Sequence, residues 1–155
     1  VFTRVLMERV RRPLGAGQSI DQAGFRGGLS TDDHLFVTTI LFKRAAEWVA
    51  PIWVAAVDFK RAFDSVSHEE LFSAMLELGV DTGYVDVLRR LYGGQTARVV
   101  ADKTSRYFDT KSGTKQGDPI GPILFNPVLE VLMRWLRQKW AAKGQGVRVG
   151  CAEFL

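Results

Sequence analysis

Asp58 is the residue of this sequence best placed to do chemistry, because it ends an apolar run. Ile52 to Val57 is apolar on both faces and is followed by Asp58-Phe59-Lys60-Arg61-Ala62-Phe63-Asp64. That pattern predicts a central strand covered from both sides, with a carboxylate at the rim of a buried sheet. A carboxylate buried without a partner is costly, so it calls for a cation, a donor network or a metal. Mg²⁺ takes oxygen ligands and often sits on one or two carboxylates plus substrate phosphates, which makes Asp58 a candidate ligand. The competing reading pairs Asp58 with Lys60 or Arg61 as a strand terminator, and spacing alone favours it. Asp64 reads as a turn or cap residue.

Two further stretches could bind a ligand. Thr114-Lys115-Gln116-Gly117-Asp118-Pro119-Ile120-Gly121-Pro122 precedes a helical pattern. Exposed amides at a helix start, with Lys115 nearby, can hold a phosphate or nucleotide, and Gln116 could bond a base or sugar. A plain strand-to-helix connection would use Gly and Pro as well. Gln22-Ala23-Gly24-Phe25-Arg26 is followed by Ser30-Thr31-Asp32-Asp33. A capped helix accounts for the second group but leaves Phe25-Arg26 unexplained.

The elements that must position these residues follow from periodicity and breakers. Residues 1–12 read as a helix with mixed faces, and Pro13 to Leu29 as a glycine-broken loop. Ser30 starts a second helix, with an apolar stripe through Leu35, Phe42, Ala46 and Val49, that ends at Pro51. Ser67 and Glu70 form a capping box ahead of Leu71, Met75 and Leu78, and Gly79 supplies the stop. Asp81 caps a helix carrying Val85, Leu88 and Leu91, closed by Gly93-Gly94. Gln95–Ala101 and Ser105–Thr110 predict two strands about a polar turn. A loop over Gly113–Pro122, a helix over Ile123–Ala141 and a strand starting at Val147–Cys151 complete an α+β order with a mostly antiparallel sheet. In the long helix Leu124, Val128, Val131 and Trp135 are read as inward, and Trp135 and Trp140 as core or interface residues.

Composition bounds the function classes. The 155 residues are 46% hydrophobic and 25% charged, which excludes collagen-like, disordered and disulfide-stapled chains. The longest apolar run, Trp48 to Val57, contains a proline and falls short of the roughly 20 residues of a spanning helix, so no membrane partner is expected. Arg4 interrupts the first apolar stretch, so no secretory signal is expected. Cys151 is the single cysteine and has no disulfide partner within the chain, which fits a reducing, intracellular place. The 21 Lys+Arg against 17 Asp+Glu, a formal net charge of +4, permit a polyanionic partner.

Taken together and in order, Phe25-Arg26 with Ser30-Thr31, Val57-Asp58-Phe59 with Ala62-Phe63-Asp64, and Lys115-Gln116-Gly117-Asp118-Pro119 with Leu124-Phe125 closely resemble reverse transcriptases. The resemblance is to the non-LTR retrotransposon (LINE-like) branch, with group II intron enzymes as relatives, and it covers most of the chain. It implies a partial right-hand polymerase domain over 1–155, with fingers-side helices and loop at 1–50 and palm at 51–155. It implies that Asp58 is the first catalytic aspartate of a two-metal Mg²⁺ (or Mn²⁺) site, with Phe59 lending a backbone carbonyl. Such metals activate the attacking 3′-hydroxyl and stabilise the leaving pyrophosphate. By the same resemblance Arg61 and Ala62 approach the triphosphate, and Phe63 is the gate beneath the sugar. Gln116 and Gly117 line the nucleotide, and Arg26 and Lys115 contact the template or other nucleic acid. The implied partners are an RNA template, a DNA primer and dNTPs.

The departures set further expectations. The family carries an aromatic-Ala-Asp-Asp hairpin after the long helix, yet the acidic residues beyond Pro122 are Glu130 and Glu153. Asp32-Asp33 lies upstream and reads as a helix cap, and Leu29 stands where relatives often carry a basic residue. The basic fingers hairpin would precede Val1. Truncation at both ends is the simplest expectation, leaving the two-metal site incomplete and the piece alone unable to polymerise. The alternative is a non-catalytic remnant that binds nucleic acid nonspecifically through Arg4, Arg9, Arg11 and Arg12, although a solvated helix face explains that cluster better. A palm-like nucleotide cyclase ranks last, because it needs neither Phe25-Arg26 nor Lys115-Gln116-Gly117. Nuclear work would fit a retroelement, but no basic cluster makes a convincing import signal.

Overall fold

The computed structural model describes residues 2–114 and 117–146. The element order is α1 (Phe2–Gly17), α2 (Thr31–Glu47), α3 (Ala62–Ser65), α4 (His68–Glu77), α5 (Thr82–Tyr92), β1 (Thr96–Ala97), β2 (Phe108–Asp109) and α6 (Gly121–Ala142). Helices with a small antiparallel sheet make the α+β class. The chain divides into one unit of residues 1–18 and 60–128 and a second of 19–59 and 129–155.

The first unit holds the core. Leu6, Met7, Val10 and Leu14 fall on one face of α1 at helical spacing and are buried. They join Leu71 and Met75 of α4, Val85 and Leu88 of α5, and Ile120 and Leu124 beside the start of α6 in one cluster. Local caps fix where the helices begin. Ser67 Oγ accepts from Glu70 N at 3.2 Å and donates to the Glu70 carboxylate at 3.0 Å, and Asp81 Oδ1 accepts from Gly83 N at 2.8 Å. Gly17 lies so close to α4 that a Cβ there would sit 2.8 Å from Leu78 O. Helix α1 thus runs through Pro13 to Gly17, five residues past the expected end at 12. A proline costs one helical bond, but the buried face continues to Leu14 and holds the last turn in place.

The expected strands at Gln95–Ala101 and Ser105–Thr110 shrink to β1 and β2. These pair antiparallel with Thr96 opposite Asp109, extended by an isolated bridge between Val100 and Thr104. Between them Ser105 bridges the hairpin twice, its N–H donating to Val99 O at 2.9 Å and its hydroxyl accepting from Val99 N at 2.8 Å.

The second unit differs most from the sequence reading. Ser30 caps α2 as expected, its Oγ accepting from Asp32 N at 3.0 Å, and the helix ends at Glu47. Its apolar stripe is uncovered: no α2 residue is buried, and Leu35 is 65% exposed. Ile52 to Val57 is not a strand, and Trp53, Val54 and Val57 are exposed. A strand exists only when a neighbour takes its N–H and C=O groups, and among the described residues none pairs with this segment. Trp135 is likewise exposed, against the inward expectation. The Val147–Cys151 strand lies outside the described residues. No described helix is long and apolar enough to cross a membrane.

Stability should therefore reside in the first unit. Met75→Ala should cost about 2–5 kcal/mol in urea unfolding, whereas Leu35→Ala should change stability by less than about 0.5 kcal/mol. Equal losses would contradict this distribution of the core.

Candidate active site

In the first unit, a stretch of backbone pairing ties the Phe63 turn to the start of the glycine-containing loop. Arg61 is left-handed (φ 52°) and opens the single turn α3, with Asp64 N and Ser65 N donating to Arg61 O at 2.9 and 3.0 Å. Alongside runs the segment 111–114. Thr114 N donates to Phe63 O at 2.9 Å, Gly113 N to Val66 O at 2.8 Å, and His68 N to Lys111 O at 3.3 Å. Ser67 and Ser112 form an antiparallel bridge. His68 Nε2 donates to Gly113 O at 3.0 Å, which sets the tautomer of that ring.

Gly113 is the residue that this approach demands. Its φ of 86° is in the left-handed region, and a Cβ there would lie 3.1 Å from Asp64 Cα. Phe63 then reaches Phe125 on the first turns of α6, with ring centroids 4.8 Å apart and planes tilted by 44°. Past Thr114, Gly117 takes φ 82° and is exposed. Asp118 Oδ1 accepts from Ile120 N at 3.2 Å and Asp118 O from Gly121 N at 3.0 Å, so this turn delivers the chain into α6. Three parts are thereby joined: the turn of Arg61 and Ala62, Phe63 packed on α6, and the segment 111–114. Lys115 and Gln116 lie outside the described residues.

In the second unit, Asp58 and Phe59 lie in exposed chain without strand pairing. Asp58 therefore does not sit at the end of a buried strand, because Ile52 to Val57 has no neighbour to make one. Arg26 is half-buried and faces its own turn, with Nη1 donating to Ser19 O and, at 2.9 Å, to Gln22 O. Phe25 is left-handed (φ 57°) and exposed.

The fit to a divalent metal pair can be tested from the donor set. Among the described residues no group of three or more His, Cys, Asp or Glu comes together. One exposed carboxylate with a backbone carbonyl is too few hard donors to hold two such ions. The described residues do not fit the pair by themselves.

Sequence reasoning missed the supports of this site. Gly113 and His68 make the closest links between the two stretches, and nothing local marks them beyond a glycine between Ser112 and Thr114. Phe125 was legible as part of the ordered motif but not as the partner of Phe63.

An ordered set of polymerase-like segments with such a joined turn and loop defines a class, and comparison with known proteins gives the family. The profile of the family described as reverse transcriptase (RNA-dependent DNA polymerase) matches residues 3–153, and the chain belongs to that family. It is 32% identical over 133 residues (83% of this chain) to the Retrovirus-related Pol polyprotein from type-2 retrotransposable element R2DM of Drosophila melanogaster. It is 27% identical over 156 residues (99% of this chain) to the R2 type-1 element polyprotein of Nasonia vitripennis. Over 88 residues (57% of this chain) it is 32% identical to a protein named for intron 2 of COX1/OXI3 in Saccharomyces cerevisiae. The chain spans 13%, 15% and 10% of these relatives, respectively.

Gly113→Ala should lower stability by about 1–3 kcal/mol, because the substitution adds a strained φ to a backbone clash. At this size each kcal/mol is read as a Tm drop of about 2–4 °C. A wild-type Tm would contradict the close approach of Gly113 to Asp64.

Proposed function

We propose that this chain is the nucleotide-binding part of an RNA-directed DNA polymerase, with the fingers side at 1–50 and the palm at 51–155. Family membership supports the reaction class. The observation that carries the site is the joining of Phe63 to the 111–114 segment through the Thr114–Phe63 bond, the Gly113–Asp64 approach and the Phe63–Phe125 contact. A nucleotide needs a rigid surface under its sugar and a backbone-rich loop beside its base, and this pairing supplies the scaffold for both.

In this reading Phe63, braced by Phe125, lies under the deoxyribose, while Arg61 and Ala62 present a cation and backbone toward the triphosphate. Gln116 and Gly117 line the nucleotide, and Arg26 and Lys115 touch the template strand. Asp58 supplies the first carboxylate for a divalent ion, with the Phe59 carbonyl beside it. RNA template, DNA primer and dNTPs are the partners of the longer protein, which acts inside the cell.

Primer extension on an RNA template tests the assignment. In the full-length protein Asp58→Asn should lower the rate on the order of a thousandfold, since several kcal/mol of metal-borne stabilisation would go. The 155-residue chain alone should extend nothing with Mg²⁺ and dNTPs. Unimpaired synthesis by the Asn variant would remove Asp58 from the site.

The Phe63 assignment has its own readout. Phe63→Val should raise incorporation of ribonucleotides relative to deoxyribonucleotides, because the space under the sugar opens to a 2′-hydroxyl. An unchanged ratio, with activity retained, would take Phe63 away from the sugar.

A further inference from the structure

Glu130 is a buried carboxylate that the proposed reaction does not use. Its side chain is 1% exposed on α6, in the second unit. Oε1 accepts from Arg134 Nε at 3.1 Å and from Arg137 Nη2 at 2.9 Å. Two cations thus offset the desolvation of this buried carboxylate. Yet Oε2 reaches elsewhere, accepting from the backbone N–H of Ser19 at 3.0 Å, 111 positions earlier in the chain.

Ser19 is a junction. Its hydroxyl donates to Asp21 Oδ2 at 2.9 Å, and Arg137 Nη1 grips the same carboxylate oxygen at 2.6 Å. Its carbonyl accepts from Gln22 N at 3.3 Å and from Arg26 Nη1. The turn of residues 19–26 has little apolar anchorage, with Ala23 its one buried hydrophobic residue. Polar bonds therefore decide where it sits, and they run in sequence from Glu130 to Ser19 to Arg26.

We propose that Glu130 is a positioning residue for Arg26: it clamps the Ser19 turn onto α6 and so fixes the guanidinium that meets the template strand. The inference rests on the reading of Arg26 as a template contact. Arg134 and Arg137 both pair with Glu130, and Arg137 also holds Asp21 at the rim of the clamp. Removing the Oε2 acceptor frees Ser19 N–H, and with it one of the two carbonyls, Ser19 O and Gln22 O, that orient Arg26.

Hydrogen exchange and RNA binding on the 155-residue chain test this in two arms. Glu130→Leu removes the acceptor while keeping the site filled, and Glu130→Gln keeps an acceptor without the charge. Exchange of the 18–26 amides should speed up about tenfold or more in the Leu variant and less in the Gln variant. Affinity for a fluorescein-labelled single-stranded RNA should fall about threefold to tenfold in the Leu variant. The same substitution in an Arg26→Ala background should change affinity by less than about 1.5-fold, the non-additivity expected of coupled residues. Equal losses in the two backgrounds would mean a purely structural ion cluster and would overturn the proposal. Unchanged exchange over 18–26 in both Glu130 variants would overturn it too. If Arg26→Ala alone binds RNA as the parent does, the template reading is what fails, and exchange then decides the clamp by itself.

Discussion

The short antiparallel pairing of residues 63–68 with 111–114 is the constraint on which the candidate site depends. Two stretches far apart in sequence meet there through backbone groups, and the contact closes because position 113 has no side chain. Phe63 is held at one end of this pairing by Phe125, and the chain leaves toward Gly117 from the same end, past Thr114. Neither stretch could be precise alone: α3 is a single turn of four residues, and the loop carries glycine where it bends. Their precision comes from the core beneath, in which α1, α4, α5 and the start of α6 bury one continuous apolar cluster.

Outside that unit the balance between covered and uncovered surface reverses. Helix α2 and the segment after it expose Leu35, Phe36, Trp48, Trp53 and Val57, an amount of apolar surface rarely left open to water. The turn at 19–26 is held differently, by a carboxylate, two arginines and a serine amide rather than by apolar contacts. One unit is organised by burial and the other, where it is anchored, by charge.

What the sequence made legible was local. Ser67 with Glu70, Ser30 and Asp81 are caps whose partners lie two or three residues on, and all three hold as read. Helices α4 and α5 follow from the spacing of Leu71, Met75, Val85 and Leu88. The misreadings are non-local. Val54 and Val57 have strand character, but a strand is a relation between two segments, and the periodicity of one says nothing of the other. Pro13 looked like a helix end because the packing that carries α1 past it comes from other helices. Gly113 looked like any loop glycine, because its reason for being there is Asp64 in another segment. Arg26 was legible as an unexplained arginine within an ordered motif, but its bonds to Ser19 and Gln22 are set by a turn that sequence does not reveal.

The most direct test of the joined site is to ask what touches the incoming nucleotide. A photoreactive deoxynucleoside triphosphate, cross-linked to the full-length protein on an RNA–DNA primer-template and mapped by mass spectrometry, reads this without relying on rate. The account predicts label on both the 60–67 and 111–121 peptides, reduced together by unlabelled dNTP. Label confined to one of them, or absent from both while the protein still extends primers, would contradict it.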